Sequence, residues 1–107
     1  MVDIVYSKNK APIRLTPERW LHIVENHDDL AGYYDEVLQT VDGPDLIIEG
    51  YKGALVALRK FLQDKFIAVV YKEVSETDGF IITAYFTNKL KLEKEEILWQ
   101  RQYQKRP

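Results

Sequence analysis

The sequence predicts an α+β domain: two N-terminal helices packed on one face of a four-stranded antiparallel meander, with a C-terminal helical tail. Three observations predict it. Apolar residues recur at helical spacing between Trp20 and Val41. From Asp45 the pattern changes to short runs rich in β-branched and aromatic residues. Turn chemistry at Lys52-Gly53, Gln63-Asp64 and Ser75 to Gly79 joins these runs directly, which makes them antiparallel neighbours.

The elements follow in order. The opening "VDIVY" reads as a short strand or an ordered arm. Thr16 is a candidate N-cap, with Pro17 at the first helical position and Glu18 in the first turn. Each suits the unpaired N–H groups and the dipole of a helix start. This predicts a helix from about Pro17 to about His27. Asp28 and Asp29 read as a restart, and Leu30, Tyr33, Tyr34, Val37, Leu38 and Val41 continue at helical spacing to the "DGPD" turn. The strands expected next are "DLIIEGY", "ALVALRKFL", "KFIAVVYKEV" and "GFIITAYFT". Beyond Asn88 the chain is highly charged, and Ile97, Leu98, Trp99 and Tyr103 form the stripe of an expected final helix that covers the sheet or docks on a partner.

Length bounds the organisation. A chain of 107 residues makes one domain with one modest core, with 13–88 as its body and 89–107 as its tail. The formal net charge of −2 argues against a protein that coats nucleic acid, since counterion release needs a positive surface. Without cysteine there is no thiol chemistry, zinc–thiolate site or disulfide framework. Apolar runs are too short to span a bilayer, and the N-terminus lacks a signal-peptide pattern. A cytoplasmic protein without a membrane partner is the expectation.

Strand register decides which polar groups meet. With Gln63-Asp64 as a two-residue loop, Arg59 lies opposite Ala68. With residues 75–78 as a four-residue loop, Ala68 lies opposite Tyr85 and Val70 opposite Thr83. One face then carries Leu58, Val69, Tyr71, Phe80, Ile82, Ala84 and Phe86 against the helices. The other carries Ala57, Arg59, Ala68, Lys72, Thr83, Tyr85 and Thr87. It is either a wet sheet face without a site or a phosphate groove. In the second case Arg59 grips phosphate in bidentate fashion, Lys72 adds a point charge, and the hydroxyls donate hydrogen bonds or move protons.

The chain holds two histidines, His22 and His27. On a regular helix they lie roughly 140° apart, which rules against a shared metal. His27 falls on the apolar side with Trp20, Ile23 and Val24. It is either a satisfied core histidine or an acid–base group at a helix C-terminus near two aspartates. His22 lies beside Glu18, Arg19 and Asn26, as an exposed residue or as part of the groove with Arg19.

The order of "LTPERWLHIVENH", "VDGPDLIIEG", "ALVALRKF", "KFIAVVYKE" and "GFIITAYFT" resembles the phage-associated barnase–EndoU–colicin–RelE-like nuclease group, over roughly residues 13–88. The likeness rests on a W-x-H-I-x-x-x-H helix and an I-T-A-Y-x-T final strand. It implies helices on one side of an antiparallel sheet and a toxin-like, metal-independent endoribonuclease without a cofactor. The ribose 2′-OH attacks the adjacent phosphate and leaves a 2′,3′-cyclic phosphate. By motif, His22 and His27 match the helix histidines, Arg59 and Lys60 the basic second strand, and Thr83, Tyr85 and Thr87 the last strand. RNA and an antitoxin or inhibitor protein are the implied partners. The alternative is a non-catalytic module on the same scaffold, binding protein or nucleic acid, or dimerising through Trp99 and Tyr103 of the tail.

Overall fold

Residues 2–102 are described in this computed structural model, Leu90 by its backbone alone. Two strands precede the first helix: β1 (Asp3–Tyr6) and β2 (Pro12–Leu15). Next come α1 (Pro17–Asn26) and α2 (Tyr34–Asp42), then β3 (Leu46–Glu49), β4 (Leu55–Lys60), β5 (Lys65–Ser75) and β6 (Asp78–Asn88). The chain closes with a single turn, α3 (Lys89–Leu92), and β7 (Ile97–Gln100). All seven strands join one sheet in the order β1-β2-β6-β5-β4-β3-β7.

This corrects the expected four-stranded meander with a helical tail. Strands β3 to β6 are antiparallel neighbours, but the sheet continues on both sides of them. On one side the β1–β2 hairpin attaches through a parallel bridge, Arg14 to Phe80. On the other, the segment read as a helical stripe pairs with β3 as β7, with Trp99 opposite Ile47. A charged stretch with few apolar residues has little to hold it as an isolated helix. The open edge of β3 offers it a ladder of hydrogen bonds instead. Of the residues in the expected stripe, Tyr103 lies outside the described residues.

The helix signals act where the sequence places them. Thr16 accepts a hydrogen bond from the Arg19 N–H at 3.1 Å, and Pro17 opens the helix. His27 caps the C-terminus, its N–H bonded to the Ile23 carbonyl at 2.8 Å. The restart at Asp28 and Asp29 is only a 3₁₀ turn over Asp28–Leu30. Gly32, at φ +92°, separates it from α2.

Two register changes decide the faces of the sheet. The loop between β4 and β5 holds three residues, Leu62 to Asp64, closed by Phe61 N–H to the Lys65 carbonyl at 3.0 Å, with Gln63 at φ +40°. An odd loop shifts the pairing by one and turns every β4 side chain over. Arg59 therefore pairs with Ile67 and Leu58 with Ala68. In β6 a bulge follows, because Val70 pairs with Thr83 while Tyr71 pairs with Ile81. Ile82 is the extra residue, so Ile81 faces the core and Phe80 turns to the other side opposite Lys72.

The helices thus cover Ala57, Ile67, Val69, Tyr71, Ile81 and Ala84, together with Ile13 and Leu15 of β2. Helix α2 touches β1, β4 and β5. Although β1 and β7 are opposite edges, Lys8 beyond β1 places its Nζ 5.0 Å from the Trp99 ring centre. The segment after β1 and strand β7 therefore approach each other. A second, smaller cluster lies on the reverse face: Ile48, Val56, Leu58, Phe66 and Ala68, with Leu46, Val70, Tyr85 and Leu92 against it. This face was expected to be open. The α3 segment packs Leu92 onto it.

Candidate functional site

The reverse face and one free strand edge carry the candidate site. Strand β2 bridges β6 at Phe80, and among the described residues no strand pairs with the edge of β6 beyond the bulge. The α1 helix fills that place. Arg19 Nη1 donates to the Ile82 carbonyl at 3.3 Å, so the bulge residue supplies the acceptor. At the other end of α1, the His27 ring centre lies 6.0 Å from that of Tyr85, with the planes tilted by 37°. A residue on the core side of a helix reaches the far side of a sheet only around an edge, and this edge permits it.

Tyr85 is half-buried, and burial raises its pKa, with the Glu95 carboxylate beyond α3 adding to the rise. The phenol therefore holds its proton and presents a hydrogen-bond donor beside an imidazole. Thr83 and Thr87 share the face of Tyr85, since they pair with Val70 and Phe66 as Tyr85 pairs with Ala68. Their hydroxyls flank it along the strand.

Other expected residues stand apart. Arg59 lies on the helix side, paired with Ile67, and its Nη1 reaches Gln39 Oε1 of α2 at 3.4 Å. The expected crowding of Arg59 with Tyr85 and Thr83 on one face is corrected: the three-residue loop puts them on opposite faces. Lys60, matched by motif to the basic second strand, lies on the opposite face from Arg59 and lines a cavity on the reverse face. Lys72 is on the reverse face but opposite Phe80, beyond the bulge from Tyr85. His22 is exposed and lines a separate shallow depression with Thr16, Glu18 and Arg19. Arg19 borders both this depression and the bulge at Ile82.

Sequence reasoning missed the acidic contribution of Glu95 and the cavity below α3. No motif signalled either one, because both depend on the C-terminal segment folding back over the sheet. Among the described residues no three His, Asp or Glu side chains cluster as a metal site, and no helix is long and apolar enough to cross a membrane. Comparison with protein-family models, curated proteins and solved structures finds no match to this chain.

Proposed function

We propose that the protein is a metal-independent endoribonuclease whose proton-handling pair is His27 and Tyr85. The observation that carries this reading is their pairing at the free edge of β6, 6.0 Å between ring centres. In the proposed reaction His27 takes the proton of a ribose 2′-OH. The 2′-oxygen attacks the adjacent phosphorus, and the bond from phosphorus to the 5′-oxygen breaks. Tyr85, kept protonated by burial, gives its proton to the departing 5′-oxygen. The products are a 2′,3′-cyclic phosphate and a 5′-hydroxyl. Arg19 is bonded to the bulged edge and supplies a cation there, and Thr83 and Thr87 offer neutral donors to the developing phosphorane. Arg59 has no place in this scheme.

RNA and an inhibitor protein are the partners that go with this activity, and the cytoplasm is its proposed setting. A second copy adding through the C-terminal segment would meet Ile97 and Leu98 of β7, and their exposure supports that reading.

The test is incubation of homogeneous protein with RNA in EDTA. Cleavage should persist under chelation, fall by 10²-fold or more in His27→Ala, as expected for loss of a general base, and fall in Tyr85→Phe. A preparation that cleaves no RNA ends the catalytic reading. The cover that α3 gives to the reverse face favours one second reading, a non-catalytic binding module. That reading requires saturable RNA or protein binding with no product formed.

A further inference from the structure

The reverse face continues from Tyr85 into a cavity of about 450 Å³ between the sheet, the β4–β5 loop and the α3–β7 segment. We infer that this cavity seats a nucleobase next to the scissile phosphate, and so sets the base preference of the proposed ribonuclease; the inference rests on that reading.

Position comes first. Phe66 lines the cavity and pairs with Thr87, while Ala68, two residues along β5, pairs with Tyr85. Two residues of strand span roughly 7 Å. That matches the reach from a base through its ribose to its own phosphate. A phosphate held at Tyr85 and Thr87 therefore places its base over Phe66.

The chemistry of the walls agrees. Leu46, Phe66, Leu92 and Ile97 supply apolar surface against which a planar ring can pack. Gln63 and Gln100 stand at the rim, one on the β4–β5 loop and one on β7. A carboxamide both donates and accepts, which is the pattern that reads a base edge. Two acids, Asp64 and Glu93, and two lysines, Lys60 and Lys89, line the cavity, and its third acid, Asp45, is held by Arg101 at 3.4 Å, so the lining carries no net charge to draw an anion. A neutral planar heterocycle suits these apolar walls better than a phosphate does. Lys89 follows directly on β6, two residues after Thr87, and lines the same cavity. The volume falls within the range of small-ligand sites.

The experiment uses the full chain and single-stranded RNAs that present each of the possible dinucleotide steps. Gln63 and Gln100 are exposed, so Gln63→Ala and Gln100→Ala leave the core untouched. Their base preference on one side of the cut should flatten by about tenfold relative to the parent, in line with the worth of a good base-edge contact. In parallel, 2′-deoxydinucleotides, which cannot be cleaved, are titrated while the side-chain amide resonances of Gln63 and Gln100 are followed by NMR. Shifts that saturate support the seat. Cleavage with the parent's preference in both variants overturns the seat and leaves the ribonuclease reading standing. Saturable shifts in a protein that cleaves nothing keep the seat and overturn the ribonuclease reading. No cleavage and no shifts overturn both.

Discussion

Replacing Gly79 with alanine tests the parallel junction on which the observed sheet depends. Gly79 sits where β2 meets β6, one residue before the Arg14–Phe80 bridge. A Cβ built there lies 2.5 Å from Ile13 Cδ1, 2.7 Å from the Lys72 carbonyl oxygen and 3.1 Å from the Pro12 carbonyl oxygen. Two of these three atoms are backbone, in β5 and at the start of β2, and Ile13 is fully buried. None is the loose end of an exposed side chain, so a strand must move. Overpacking of this kind costs about 1–3 kcal/mol. The alanine also restricts the unfolded chain, which returns about 0.4–1 kcal/mol. The net destabilisation is about 1–2 kcal/mol. For a domain near this size each kcal/mol lowers Tm by about 4–8 °C, giving a fall of roughly 5–15 °C. Gly43→Ala is the matched control. Its Cβ meets only Arg101 Nη2 at 3.5 Å and the Gln39 carbonyl at 3.8 Å, ordinary contacts, so Tm should hold or rise slightly. Calorimetric or circular-dichroism melts of the three proteins decide it. Equal Tm for the parent and Gly79→Ala would refute the junction, as would an equal loss in Gly43→Ala.

Thr16→Ala removes the bond to the Arg19 N–H and should cost about 1 kcal/mol in urea unfolding, with an unchanged m-value. The arginines should separate in the RNA assay. Arg19→Ala lowers the cleavage rate, while Arg59→Ala on the opposite face changes it by no more than a factor of a few; the reverse order would return Arg59 to the site. Tyr34 has its pKa pushed up to about 12, by burial first and then by its hydrogen bond to Asp3 at 2.5 Å. The folded state therefore keeps a proton that the unfolded state loses near pH 10. Its contribution to stability is full below pH 10 and is lost as pH rises from 10 to 12. Guanidinium melts across that window should show a shallower loss in Tyr34→Phe than in the parent, and parallel slopes would contradict the assignment.

Local chemistry made several parts of this protein readable from its residues. Thr16, Pro17 and Glu18 state a helix start without help from any distant residue, and the "DGPD" turn ends the next helix, whose start at Tyr34 rather than at Asp28 and Asp29 the residues did not announce. The runs that became β3 to β6 carry their β-branched and aromatic composition openly. The pairing of Tyr85 with Ala68 agrees with the sequence reading because the two register shifts between the loop and Tyr85, at Glu73/Ser75 and at Val70/Tyr71, cancel.

Tertiary structure decided the rest. The faces of β4 depend on whether its loop holds two or three residues, and Gln63 takes a left-handed conformation that a glutamine does not announce. The bulge at Ile82 inserts no marker residue, yet it turns Phe80 outward and supplies the carbonyl that Arg19 grips. The segment around Trp99 becomes a strand because β3 leaves an edge open, and β2 can lie as close to β6 as it does because Gly79 carries no Cβ there. Each of these turns on pairing between segments far apart in the chain. Backbone hydrogen bonding is nearly indifferent to residue type, so such pairing is set by which edges lie near one another. His27 meets Tyr85 for the same reason: β2 stops short, and the end of a helix takes the place of a strand.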